Sequence, residues 1–204
     1  MVRFIVHKEP CYEGYRLYEG YKASEGFSKE LLDIIIDMLE KYLQKHSQCL
    51  MVLMQFTFPV ELDVEGIDNS CFQSFIEAYK RHLESRGLDP EYLWVREVGE
   101  TSERCHYHLM LLLNGNKIRY FNDPIMVKKY WRNSLQTTFN YNGQAAPMHL
   151  HILPTLRRGM AIKRGDHSNF EQAISVASYL AKIRTKIPIG RNIKAYSTSQ
   201  YSRG

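Results

Sequence analysis

Paired cysteines are missing from this sequence of 204 residues. The four cysteines lie far apart in the chain, and no two of them have the Cys-x-x-Cys spacing of zinc ribbons and redox motifs. The pattern indicates neither a disulfide scaffold nor a structural zinc cluster, so we expect reduced residues that pack in the protein. They are Cys11, Cys49, Cys71 and Cys105.

A long uncharged apolar run is missing too. Charges occur within the first eight residues, and Asp33 and Asp37 interrupt the most apolar predicted helix. We therefore expect a cytoplasmic protein with no membrane partner. The Gly-x-x-x-x-Gly-Lys-Ser/Thr loop that binds nucleotide phosphates is absent as well, so the sequence encodes no helicase motor.

The length fits one well-buried core and is short for two, so we predict a single domain over residues 1–204. Charge is unevenly distributed: residues 157–204 hold ten basic and two acidic side chains, whereas the preceding part is slightly acidic. A polyanion would bind to such a basic segment. The charge excess alone fits a solvated, solubilising tail equally well.

Hydrophobic periodicity and turn signals predict an α+β fold. Ser28 precedes a helical apolar pattern as an N-cap, and Pro59 ends a continuous apolar run. The order of strands and helices favours an antiparallel sheet with helices packed on it. Predicted helices cover about 28–46, 68–85, 123–135 and 168–184, and predicted strands about 50–58, 92–98, 105–114 and 148–153.

Two histidines on one predicted strand are the most informative residues. His106 and His108 occupy alternate positions, so their side chains project from the same face of the strand. The rest of the strand is almost wholly apolar, which indicates a covered central strand where a polar pair needs a partner. A divalent metal ion is one such partner.

Glu97 is predicted to complete a metal site across a hairpin. In the expected register Glu97 lies opposite His106, with Cβ atoms about 5 Å apart. Two imidazoles and a carboxylate suit Mg²⁺ or Mn²⁺ and leave coordination positions for water and phosphate oxygens. A register slip of one residue would place Arg96 there instead. Glu100 and Glu103, on the intervening turn, are the alternative acids.

A second His-x-His pair shows how little that spacing means alone. His149 and His151 lie on a short predicted strand that ends at Pro154, and no acidic residue precedes them. A lone pair of this kind is more often structural than metal-binding. We interpret these histidines as an edge-strand or phosphate-contacting pair, with metal ligation the less favoured reading.

The last predicted helix carries Tyr179 away from its apolar stripe, with Lys182 three residues later on one helix face. A neighbouring ammonium favours a phenolate and the charge that develops on a phosphate under attack. Tyr179 is therefore a candidate nucleophile that Lys182 assists. A half-covered surface tyrosine with a solvated hydroxyl is the alternative, and it is the commoner case.

Together these motifs resemble the His-hydrophobic-His (HUH) endonucleases. Glu97 precedes His-Tyr-His at 106–108, and Tyr-Leu-Ala-Lys follows at 179–182. The segments Tyr-Leu-Trp-Val-Arg-Glu, His-Tyr-His-Leu and Leu-Leu-Leu-Asn-Gly are similar to the core of inovirus and prophage replication initiators related to the YagK/YfjJ-type C-terminal domain. The resemblance covers about residues 50–184. Tyr107 departs from it, because an aliphatic residue is usual between the histidines.

This resemblance implies a ferredoxin-like sheet of about five antiparallel strands, with a metal on its open face and helices behind it. The HUH-type domain would have its core at about 50–184, an N-terminal helical elaboration over 1–49 and a basic tail over 185–204. In the implied reaction, Tyr179 attacks a phosphodiester of single-stranded DNA and forms a 5′-phosphotyrosyl adduct. Ile183 replaces a second tyrosine, so the implied mechanism uses one tyrosine.

The resemblance also implies roles and partners. A divalent ion, Mg²⁺ or Mn²⁺, would be held by His106, His108 and Glu97, and Lys182 would assist at the phosphate or at a metal-bound water. Implied partners are single-stranded DNA or an origin hairpin, a host helicase and the replication machinery of a bacterial cell, in rolling-circle replication of a phage-like element. The expected DNA contacts are Arg184, Lys186, Arg191 and Lys194.

Two other functions fit the same residues. A non-catalytic nucleic-acid-binding module with a ferredoxin-like sheet would use the histidines as core residues or for stacking on bases, and Tyr179 would be dispensable. A metal-dependent hydrolase that activates water would form no covalent intermediate.

Overall fold

The α+β class is confirmed. In the computed structural model, five antiparallel strands form the main sheet, in the spatial order β8-β5-β7-β6-β9. They are β5 (Gln48–Thr57), β6 (Glu91–Val98), β7 (Cys105–Asn114), β8 (Met160–Lys163) and β9 (Tyr196–Thr198). The structure describes residues 5–20, 25–63, 67–99, 104–143, 158–183 and 193–199.

Four α-helices pack on this sheet. Their starts follow local signals: the Ser28 hydroxyl oxygen accepts a hydrogen bond from the Leu31 N–H, and the Asp68 carboxylate accepts one from Ser70 N–H. Within the described residues, no helix is long and apolar enough to cross a membrane. The helices are α1 (Lys29–Lys45), α2 (Ser70–Ser85), α3 (Pro124–Phe139) and α4 (His167–Ala177).

The N-terminal segment adds four short strands to the predicted helix α1. They are β1 (Val6–His7), β2 (Cys11–Tyr12), β3 (Tyr15–Arg16) and β4 (Phe27–Ser28). β1 pairs with β4, and β2 pairs with β3, which gives two small antiparallel sheets.

Both faces of the main sheet are covered. Helices α1 and α4 pack on one face, against Leu93, Val95 and Met110. Helices α2 and α3 pack on the other, against Trp94 and Tyr107. Side chains alternate along a strand, so the candidate ligands on β6 and β7 share the face of α1 and α4. The expectation that this face of the sheet would be open is therefore wrong.

Other differences concern the chain after β7. Helix α3 extends four residues beyond its predicted end. Strands β8 and β9 had no sequence prediction, and the strand predicted over 148–153 lies outside the described residues. Helix α4 ends at Ala177 and is followed by a 3₁₀ turn, Ser178–Ala181, so the prediction of one helix to residue 184 is wrong.

Candidate metal and nucleophile site

The pairing of β6 with β7 places the acid beside the histidines. Glu97 lies directly opposite His106, and Val95 lies opposite His108, which is the register expected from the sequence. Direct cross-strand partners project from the same face with Cβ atoms about 5 Å apart. The acid and both imidazoles therefore lie in one patch at the end of the sheet where β6 finishes and β7 begins.

This patch, which we call the donor set, consists of Glu97, His106 and His108. Its potential ligand atoms all lie within 4.8 Å of one another. The Nε2 atoms of His106 and His108 are 3.6 and 3.4 Å from Oε2 of Glu97. Two imidazole nitrogens and one carboxylate can hold a divalent metal ion and leave coordination positions open. The alternative acids, Glu100 and Glu103, lie outside the described residues.

Burial keeps the His108 imidazole in the neutral form that can bind a metal ion. Its side chain is only 4% exposed, and this burial lowers the pKa of His108 to about 4 although the Glu97 carboxylate opposes the shift. The imidazole is therefore neutral at physiological pH, and metal binding requires that state. His106 is more accessible, with 15% of its side chain exposed, which leaves an approach to the donor set from its side.

Lys182 lies inside this site and not at a phosphate-facing surface. Its ammonium donates a hydrogen bond to Oε2 of Glu97, and each of the two side chains is 1% exposed. The Lys182 backbone is extended and forms an isolated antiparallel bridge with Phe27. That bridge turns the chain out of the helical path and directs the lysine side chain to the acid.

Tyr179 borders the donor set from the 3₁₀ turn. Its ring packs edge-on against the His108 ring with centroids 5.3 Å apart, and Nζ of Lys182 lies 4.0 Å from its centroid. The Tyr18 ring also packs edge-on against the Tyr179 ring, with centroids 5.0 Å apart. Tyr179 and Lys182 thus meet as predicted, but the proposed reason was wrong, because they do not share a face of an α-helix.

A sequence model of the YagK/YfjJ C-terminal domain matches residues 11–199 of the chain. The chain belongs to this family. The match includes the donor set, Tyr179 and Lys182, so the site lies within the YagK/YfjJ C-terminal domain.

Other comparisons add little to the family assignment. No curated protein matches the sequence. The catalytic domain of the adeno-associated virus type 5 Rep protein, a solved structure, is similar over 65% of this chain and 98% of that chain. The sequence identity is 11% and the TM-score is 0.23. A score of that size does not establish a shared fold, so the assignment rests on the family match.

Two polar residues that the sequence analysis did not select also face the donor set. In the pairing of β5 with β7, Gln55 lies opposite His108 and Thr57 lies opposite His106. Both are partly buried. The sequence could have pointed to them, because these two polar residues interrupt an otherwise apolar strand. In this YagK/YfjJ-type domain they place an amide and a hydroxyl on the side of the histidines away from Glu97.

The expected DNA-contacting residues are only partly described. Lys194 is exposed, and its backbone carbonyl accepts a hydrogen bond from Nδ2 of Asn69, 2.9 Å away, which ties this basic segment to the start of α2. Strand β9 follows directly and pairs with β6. The other expected contacts, Arg184, Lys186 and Arg191, lie outside the described residues, as do His149 and His151.

Proposed function

We propose that this YagK/YfjJ-type domain is a metal-dependent endonuclease that nicks single-stranded DNA through Tyr179. The observation that carries the proposal is the meeting of three groups: a tyrosine ring, an ammonium 4.0 Å from its centroid, and the donor set. A nucleophile beside a cation and a metal site is a combination that can catalyse phosphodiester transesterification.

The proposed reaction exchanges one phosphodiester for another. The Tyr179 hydroxyl loses its proton and its oxygen bonds to phosphorus, while the bond from phosphorus to the 3′ oxygen breaks and that oxygen gains a proton. A divalent ion bound by the donor set would neutralise charge on the scissile phosphate. The 5′-phosphotyrosyl adduct conserves the bond for rejoining, so the reaction needs no nucleotide hydrolysis.

We assign the donor set to Mg²⁺ or Mn²⁺, because both ions accept mixed nitrogen and oxygen ligands with open positions. The resemblance to inovirus and prophage initiators supports a role in starting rolling-circle replication, with an origin hairpin as substrate and a host helicase to open the duplex. The basic residues Arg184, Lys186, Arg191 and Lys194 would contact phosphates of the strand.

In the deciding experiment, the protein is mixed with a 3′-labelled DNA single strand and Mn²⁺. The amount of label that stays with the protein after denaturation is then measured. The label must be on the 3′ side, because a 5′-phosphotyrosyl adduct retains that part of the strand. Wild-type protein should form the adduct and Tyr179→Phe should not. Tyr196→Phe is the matched control, since Tyr196 lies in β9 on the same face of the sheet.

The other functions predict different results. Strand cleavage that survives Tyr179→Phe without an adduct would support a water-activating hydrolase and exclude the tyrosine nucleophile. Binding without any cleavage, across Mg²⁺ and Mn²⁺ and across hairpin and linear strands, would support a non-catalytic module. Peptide mapping of the adduct to a tyrosine other than Tyr179 would also reject the assignment.

A further inference from the structure

One oxygen atom of Glu97 is shared by three nitrogen-bearing side chains. Oε2 accepts the hydrogen bond from the Lys182 ammonium and lies within 3.6 Å of Nε2 of His106 and within 3.4 Å of Nε2 of His108. Oε2 is thus the Glu97 oxygen that lies near both imidazoles, where an ion bound by all three side chains would take it. The ammonium therefore occupies the position on the carboxylate that a metal ion needs.

A divalent ion at that oxygen would compete with the ammonium for the carboxylate. A divalent ion of this type binds oxygen at about 2.0–2.2 Å, and the two positive charges would lie a few ångströms apart where little water screens them. Their Coulomb repulsion is large at such a separation in a buried site. Binding of the ion therefore disfavours the contact between the lysine ammonium and Glu97.

The structure offers the displaced ammonium a nearby position. Nζ of Lys182 already lies 4.0 Å from the centroid of the Tyr179 ring, a distance at which a cation is attracted to the ring face. The backbone of Lys182 is fixed by its bridge with Phe27, whereas its four-carbon side chain rotates about several bonds. Rotation of the side chain can break the contact with Glu97 and keep the ammonium at the Tyr179 ring, without movement of the backbone.

We propose that Lys182 is a placeholder for the metal ion. In the metal-free protein its ammonium balances the buried charge of Glu97, and an arriving ion takes over that role. The ammonium released from Glu97 keeps its contact with the Tyr179 ring, so metal loading frees this charge to act at the proposed nucleophile. This inference rests on the proposed function, which gives the ion its role in the reaction. Its test measures metal binding and not DNA cleavage.

The first test compares Mn²⁺ affinities by electron paramagnetic resonance at pH 8. Lys182→Met removes the charge and keeps a side chain of similar length, so the ion no longer displaces a cation. We expect Lys182→Met to bind Mn²⁺ at least ten-fold more tightly than the wild type. Lys163→Met is the matched control, because Lys163 is an exposed lysine on β8, at the other end of β5 from Thr57.

Equal or weaker Mn²⁺ binding by Lys182→Met would reject the placeholder and leave the proposed nuclease intact. If neither wild type nor variant binds Mn²⁺, both the placeholder and the metal-dependent function are wrong. Tighter Mn²⁺ binding by Lys182→Met, together with a wild type that forms no DNA adduct, would support the placeholder and reject the nuclease.

A second test measures the wild type, and a variant serves only to assign the signal. A buried, hydrogen-bonded ammonium exchanges its protons slowly, so Lys182 should give its own ¹⁵N ammonium signal, assigned by its loss in Lys182→Arg. Addition of diamagnetic Mg²⁺ should shift this signal or remove it through faster exchange. A signal that stays unchanged while Mg²⁺ saturates the protein would show that the ammonium does not leave Glu97.

Discussion

Glu97 and His106 lie directly opposite each other in the β6–β7 ladder. The same register turns Arg96 to the other face, where its guanidinium donates a hydrogen bond to Oδ1 of Asn69, 3.1 Å away. A slip of one residue would exchange the carboxylate for the guanidinium and destroy the donor set. The buried side chains on both faces oppose such a slip, so the packing of the core also protects the site.

Replacement of both histidines tests the metal site. His106→Ala/His108→Ala removes two of the three proposed ligands, and we expect Mn²⁺ affinity to fall by more than about 100-fold and the DNA adduct to disappear. Circular dichroism should show a retained fold, and His167→Ala, on the exposed start of α4, is the control. Cleavage by the double variant in EDTA at the wild-type rate would disprove the assignment.

The ion pair of Glu97 and Lys182 predicts strong energetic coupling. Glu97→Gln or Lys182→Met alone leaves one buried charge without its counter-ion, and each should lower the free energy of unfolding by about 3–5 kcal/mol. The double variant should lose much less than the sum of the two. Urea denaturation of the metal-free proteins measures this coupling, and additive losses would mean that the pair does not act as a unit.

Tyr18 should affect chemistry without affecting metal binding. Its ring packs edge-on against the Tyr179 ring, so Tyr18→Ala loosens the proposed nucleophile, and we expect adduct formation to slow by about ten-fold. Tyr18→Phe keeps the ring and should react at nearly the wild-type rate. Mn²⁺ affinity should be the same in all three proteins. Loss of Mn²⁺ binding in Tyr18→Ala would point to a general loss of structure instead.

The basic residues near the C-terminus should set the salt dependence of DNA binding. Truncation is a poor test, since it would remove β9 from the main sheet. The triple substitution Lys186→Gln/Arg191→Gln/Lys194→Gln leaves the strand in place. The slope of log affinity against log salt should flatten by roughly one unit for each DNA phosphate that the variant no longer neutralises. Identical slopes for variant and wild type would identify these residues as a solvated segment.

The lowered pKa of His108 predicts how the stability of the metal-free protein depends on pH. This pKa falls from 6.5 to about 4 on burial. Between those values the unfolded chain binds a proton that the folded protein does not, so stability rises with pH in this window. The contribution of His108 is complete above pH 6.5 and is lost as the pH falls toward 4.

Urea denaturation in EDTA from pH 4 to 7.5 checks this expectation. His108→Gln lacks the titrating group, and its free energy of unfolding should change less across the window than that of the wild type. Parallel curves for the two proteins would mean that His108 remains accessible to protons in the folded state.

Much of the sheet could be predicted from the sequence because its signals are local. Alternation along β7 determines that His106 and His108 share a face, and turn residues bound β5 and β6. The pairing of Glu97 with His106 could be predicted because one hairpin connects β6 to β7. Each of these conclusions depends on residues that lie close together in the chain.

Other features could not be predicted, because distant residues determine them. Helix α4 stops at Ala177, and the 3₁₀ turn after it leads to the bridge of Lys182 with Phe27, more than 150 positions away in the chain. Strand β9 carries no strong apolar alternation and forms because the edge of β6 offers it hydrogen bonds. The burial of Lys182 was missed for a similar reason. A lysine is usually exposed, and only its acidic partner on β6 explains why this one is not.

The hydrogen bond from Tyr18 N–H to the Ser178 hydroxyl oxygen, 2.8 Å long, joins residues that are 160 positions apart. During translation the N-terminal segment leaves the ribosome long before Ser178 has been made. Contacts of such high sequence separation form slowly, because a long loop must close first. A nascent or prematurely terminated chain therefore has no means to position Tyr179, and the proposed nicking activity is confined to protein whose synthesis has passed that point.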